Sequence, residues 1–182
     1  MDEPTSYLAL AKVMTVDEFV AQSNPFFLVK RPRKLVSLGH IDPVAISFET
    51  QLTKLEIDPY AAEWRIVPVK KREGNPYPER FSIGRAPNCD IVIRLPSVSK
   101  VHAHIQVGNA GSYSLRDNQA SNSTFINGRR LDAKTSAPLK LGDEIAFGSI
   151  ELQFVDAAQL YRILHSEVAP SKSPTRRPPN SR

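Results

Sequence analysis

Four polar clusters in the middle of the sequence hold the side chains best suited to chemistry: Gly84-Arg85, Ser99-Lys100-Val101-His102, Ser121-Asn122-Ser123-Thr124 and Asn127-Gly128. Together they supply a guanidinium fork, hydroxyls, an ammonium and amides, with no carboxylate among them. A phosphate monoester carries about −1.5 to −2 charges and three acceptor oxygens. An arginine can take two of those oxygens at once, while Ser and Lys donate to the rest. An Asn amide both donates and accepts, so it can bond the backbone of an extended peptide. The set therefore suits capture of a phosphorylated peptide. It lacks an activated nucleophile, a metal set or an acid/base pair, so it suits phosphate hydrolysis poorly, and no enzyme is expected.

Other chemistries are weaker. His102 and His104 point to one face of a strand, but four His and one Cys offer no third ligand at a sensible spacing, so neither metal nor cofactor is expected. Cys89 reads as a small packed residue. The net charge is +5, and the last 17 residues carry 4 Lys/Arg against 1 Asp/Glu. The basic runs Lys30–Lys34, Lys70–Arg72 and Arg129–Arg130 read as solvated charge, the last also placed to attract an acidic peptide. Aromatics are 8% and not clustered for base stacking, which argues against a nucleic-acid binder. No apolar run approaches the ~18 residues of a spanning helix, and Asp2-Glu3 opens the chain where a secretory leader would be basic. No membrane role and a cytoplasmic setting are expected.

The elements that must position these clusters are mostly strands. Short β-branched and aromatic segments recur at Trp64–Val69, Phe81–Ile83, Ile91–Ile93, His102–Val107, Ser112–Arg116, Thr124–Ile126 and Glu144–Val155, the last split at Gly148-Ser149. Turn signals such as Glu73-Gly74-Asn75-Pro76, Asn127-Gly128 and Leu141-Gly142-Asp143 separate them. Many short strands at regular spacing predict an all-β sandwich, whose end loops bring distant residues together. Before it, Thr15-Val16-Asp17-Glu18 matches a capping box, Pro25–Val29 reads as a strand, and Val44–Phe48 as another. After it, Asp156–His165 reads as a short helix capped by Asp156, with Leu160, Ile163 and Leu164 on one face. Residues 166–182 hold four of the 15 prolines and almost nothing apolar, so a disordered tail is expected.

Taken in order, Gly84-Arg85, Cys89-Asp90-Ile91, Val98–Ile105, Leu115-Arg116-Asp117, Ser121–Gly128 and Leu141-Gly142-Asp143 resemble a forkhead-associated (FHA) domain over roughly residues 64–155. The resemblance implies an FHA-type antiparallel β-sandwich of eleven strands that reads phosphothreonine at one end. It implies that Arg85 and Ser99 grip the phosphate and that Lys100 adds charge or contacts the peptide. Ser121 would donate to the phosphate or shape the methyl pocket, and Asn122 would clamp the peptide backbone. His102, Thr124, Asn127, Gly128 and Gly84 would support the loops. The chain departs from the family at Ser123, where Gly is usual.

The expected organisation is an N-terminal extension (1–60, partly docked), the FHA domain (61–155), a short helix (156–165) and the basic Pro-rich tail (166–182). The expected function is a non-catalytic phosphothreonine adaptor in Ser/Thr-kinase-linked signalling, whose partners are Thr-phosphorylated proteins such as a kinase or its substrate. The alternative is a phospho-independent assembly scaffold that uses the N-terminal extension.

Overall fold

The computed structural model describes residues 4–32, 63–133 and 135–168. The expected strand Val44–Phe48, and the tail from residue 169 onward, lie outside these.

Among the described residues, eleven strands form two sheets. The first contains β1 (Phe26–Lys30), β2 (Arg65–Pro68), β7 (Thr124–Ile126), β8 (Arg129–Arg130), β10 (Glu144–Phe147) and β11 (Ile150–Asp156), in the order β2-β1-β11-β10-β7-β8. The second contains β3 (Arg80–Gly84), β4 (Ile91–Val92), β5 (Ala103–Val107), β6 (Tyr113–Asp117) and β9 (Ser136–Leu139), in the order β4-β3-β5-β6-β9. Every assigned pairing is antiparallel except β3 with β4. Gly148, with φ +60, turns β10 into β11, as its sequence predicts.

Period-two alternation sends one face of each strand into a shared core. Ile83, Ala103, Ile105 and Leu115 of the second sheet meet Leu28, Ile145, Phe147, Ile150, Leu152 and Phe154 of the first, all at 2% exposure or less. At this packing, cutting Phe147 back to alanine is worth about 3–5 kcal/mol.

The far face of the first sheet is covered by helices: α1 (Pro4–Val13), α2 (Val16–Gln22) and α3 (Ala157–Val168). Tyr7, Ala11, Phe19, Leu160, Ile163 and Leu164 pack there on Phe27, Val29, Ile66 and Val155. Thr15 caps α2 as expected: its hydroxyl accepts from Glu18 N, and the Glu18 carboxylate accepts from Thr15 N at 2.8 Å. Asp156 caps α3 by accepting from Gln159 N at 2.6 Å.

The structure refines three expectations. The fold is β-rich rather than all-β, because the α1–α2–α3 layer carries a second apolar cluster. The C-terminal helix continues through Val168, so residues 166–168 belong to it and not to the tail. The N-terminal segment is more than a docked appendage: β1 lies between β2 and β11 and hydrogen-bonds to both.

Candidate functional site

β3 ends at Gly84, and the chain then turns beside the connection from β4 to β5. Arg85 N donates to Ser99 O at 3.0 Å, and Ala86 N to Lys100 O at 3.1 Å. This close approach requires glycine at 84: a Cβ there would meet Lys100 O at 2.2 Å. The glycine thus presses the Ser99–Lys100 backbone against the start of the Arg85 loop. The Arg85 side chain is exposed and lines an open groove with Arg94, Leu95 and Pro96.

The third loop, between β6 and β7, joins the same place. Ser121 N donates to Ser99 Oγ at 3.2 Å. Asn122 Nδ2 donates to Ser97 O at 2.8 Å, which leaves its Oδ1 as an acceptor. Lys100 is exposed, and its backbone carbonyl accepts from Ala86 N and the Cys89 thiol. Arg85, Ser99, Ser121 and Asn122 thus come together from three connections. The Lys100 backbone belongs to this junction, while its side chain makes no hydrogen bond or ion pair among the described residues.

His102 locks two of these loops. It is fully buried, its Nδ1 accepts from Ser99 N at 3.0 Å, and its Nε2 lies 3.1 Å from Ser123 O. An Nδ1 acceptor and a carbonyl at the other nitrogen require the neutral, Nε2-protonated tautomer. Burial lowers the imidazole pKa, and this outweighs the upward pull of the Ser123 carbonyl and Asp117. The ring also meets Phe147 edge-on at 5.5 Å.

Thr124 and Asn127 set the loop ends. Thr124 Oγ1 donates to the buried Asp117 carboxylate at 2.5 Å, whose other oxygen accepts from Ala120 N. Asn127 donates to Asp143 Oδ1 and accepts from Glu144 N, each at 2.9 Å, fixing the hairpin to the start of β10. Gly128 takes φ +76 at the tip. The described non-glycine residues at positive φ are Gln119 (60), Ser123 (57) and Asn127 (49), all within this loop-and-hairpin stretch. Ser123 thus occupies the left-handed region that favours glycine.

Some supporting residues gave little sign of their role in the sequence. Ser97, 5% exposed, bonds the Ser149 hydroxyl at 2.7 Å, and a Cβ on Gly148 would meet Ser97 O at 2.4 Å. The β10–β11 turn therefore braces the loop that carries Ser99. Asp90 accepts from Ser82 N, Ser82 Oγ, Asn75 Nδ2, Arg72 N and Lys71 Nζ. Burial alone would raise its pKa; these donors win and hold it below the ordinary value. Asp90 thereby anchors the segment 71–75 beside β3. Cys89 is buried under the same loop, and burial with the adjacent Asp90 charge raises its thiol pKa, so it is poorly suited to act as a thiolate nucleophile. Among the described residues no group of three His, Cys, Asp or Glu is placed to hold a metal, and no helix is long and apolar enough to cross a membrane.

Comparison with known proteins finds similarity across this stretch of the chain. The FHA domain family model matches residues 81–148. An ABC transporter ATP-binding/permease protein of Mycobacterium tuberculosis is 43% identical over 79 residues, which are 43% of this chain and 9% of that protein. The DNA damage response protein kinase DUN1 of Saccharomyces cerevisiae is 36% identical over 73 residues, covering 37% of this chain and 14% of the kinase. Among solved structures, Mycobacterium tuberculosis EmbR in complex with a low affinity phosphopeptide is 28% identical, with a TM-score of 0.39 over 42% of this chain and 20% of that one. The match to these relatives is thus confined to a small part of much longer proteins. The FHA family match thus spans residues 81–148 of the chain's 182, less than half of it.

Proposed function

We propose that this chain is a non-catalytic phosphothreonine-peptide adaptor in Ser/Thr-kinase-linked signalling, built on an FHA-type β-sandwich to which the N-terminal strand β1 contributes. One observation carries the reading. Arg85, Ser99 and Ser121, from three separate connections, are joined by direct hydrogen bonds at one rim, and among the described residues no carboxylate hydrogen-bonds to any of the three. Arg85 takes two phosphate oxygens through its fork, and Ser99 donates its hydroxyl proton. Lys100 adds charge, and Ser121 completes the cup. The Asn122 carbonyl oxygen accepts from a backbone N–H of the bound peptide while its amino group stays on Ser97. The partners are Thr-phosphorylated proteins, and the setting is cytoplasmic.

Calorimetry on the full chain tests this, using a phosphothreonine peptide drawn from an oriented library together with its unphosphorylated and phosphoserine twins. The phosphothreonine form binds, the unphosphorylated form does not, and Arg85→Ala abolishes the heat. Equal binding of the unphosphorylated peptide, or undiminished binding by Arg85→Ala, would overturn the reading.

A further inference from the structure

A second concave surface lies on the outer face of the five-stranded sheet. Ile83, Ala103, Ile105 and Leu115 fill the core, so the residues alternating with them face outward. Register places His104 opposite Arg116 on one side and Ser82 on the other, and Arg80 opposite Gln106. Arg80, His104, Gln106 and Arg116 line a cavity of about 350 Å³ with Asp117, Asn118 and Gln119. Two guanidiniums flanking one concavity repel each other unless an anion lies between them. The neighbouring carboxylates are already committed. Asp117 is buried and accepts from Thr124 and Ala120, while Asp90 accepts five donors, the Lys71 ammonium among them. Among the described residues, neither Arg80 nor Arg116 has a carboxylate within ion-pair distance.

Two further features point the same way. The Arg80 guanidinium is held over the Tyr77 ring, 3.8 Å from its centroid, so its planar fork is already ordered. Gln119, in the cavity wall, takes φ 60, and strain of this kind in a non-glycine residue concentrates at ligand sites.

We propose that this cavity is a second anion site, separate from the rim at Arg85, and that it binds one oxyanion group, a carboxylate or a phosphate, between Arg80 and Arg116. His104 reports on it. Burial, and then the charges of Arg80 and Arg116, lower its pKa, with Lys71 adding to this and Asp90 opposing. An anion seated between the arginines cancels much of that repulsion and moves the imidazole pKa upward.

The test uses the full chain with labelled histidine. NMR follows the His104 ring during titration with inorganic phosphate and, in a separate arm, with acetate, each against chloride at equal ionic strength. A saturating shift with a raised His104 pKa is expected from at least one oxyanion, and the arm that saturates identifies the group. The Arg80→Gln/Arg116→Gln double variant weakens that response at least tenfold, and Arg116→Gln alone serves if the double variant folds poorly. Arg85→Ala leaves it unchanged, so this result stands apart from the phosphothreonine reading. A response that rises linearly, matches chloride or survives the loss of both arginines would overturn the site.

Discussion

At the scale of single residues, the proposed function separates groups that would touch a phosphopeptide from groups that hold the rim. Arg85 is exposed, and its backbone alone ties it to Ser99. Arg85→Ala should therefore cost phosphopeptide binding about 2–5 kcal/mol, the range for losing one partner of a desolvated charge pair. Its thermal midpoint should stay at the wild-type value, since the Arg85 N–H bond survives the substitution. Calorimetry and a melting curve on one sample check both halves. Ser123 behaves in the opposite way. Its backbone N–H bonds Ala120 O and its carbonyl bonds His102, so glycine retains both contacts. A left-handed L-residue costs roughly 1–2 kcal/mol, and glycine's freer unfolded chain returns about 0.4–1 of that. Ser123→Gly should gain about 0.5–1 kcal/mol in urea unfolding, whereas Gly84→Ala, which drives a Cβ into Lys100 O, should lose stability and binding together.

His102 adds a pH dependence. Its folded pKa is depressed, so between that value and the unfolded value the unfolded chain binds more protons, and stability rises with pH there. The contribution is complete above about pH 6.5, the unperturbed value, and is lost as pH falls toward the folded value. His104 is shifted the same way and adds to the slope. Urea midpoints at pH 8, 6.5 and 5 should fall in that order. The decline should be shallower in His104→Gln, where only the His102 share remains. A flat profile would contradict the neutral imidazole.

At the scale of elements, legibility followed how local the signal was. Thr15 and Asp156 announced their helices because a cap is a short-range arrangement of one side chain and a nearby N–H. Alternating apolar residues marked β3, β5, β6, β10 and β11 because burial on one face dictates that period. Strand β8 is two exposed arginines, and β9 carries a proline, so neither shows a strand pattern; pairing with β7 and β6 creates them. Helix α1 lacks an acidic first turn and a strong apolar stripe, and it owes its place to Tyr7 packing edge-on against Phe27 at 5.4 Å. The rim motifs were visible as residue types. Their bracing by Ser97 and Ser149 was not, because that contact spans 52 positions. The position of β1 has a direct consequence. Deleting residues 1–32 strips an inner strand from between β2 and β11 and uncovers Val155, Leu160 and Leu164. The truncated chain should lose its cooperative unfolding transition, whereas deletion of residues 1–14 removes α1 alone and should leave a weakened transition in place. Circular dichroism melts of the two truncations distinguish these outcomes.

At the scale of the whole molecule, two kinds of positive charge would act on an incoming phosphopeptide under the proposed function, and salt separates them. The net charge of +5 and the exposed Arg129–Arg130 edge strand act over distance. At 0.15 M ionic strength the Debye length is about 8 Å, so that attraction fades with added salt. It accelerates encounter and adds little to the bound state. In the proposed function Arg85 acts in contact, where screening is weak and loss would appear as faster dissociation. Raising salt from about 0.05 to about 0.5 M should therefore slow association severalfold and change dissociation little. Replacing Arg129 and Arg130 with alanine should flatten the salt dependence of association without altering dissociation. Arg85→Lys, which keeps the charge but loses the fork, should do the reverse. Surface-plasmon kinetics across a salt series measure both rates. A dissociation rate that follows salt as steeply as association would mean that the phosphate is held by diffuse charge, in place of the three loops that His102, Asp117 and Gly84 bring together.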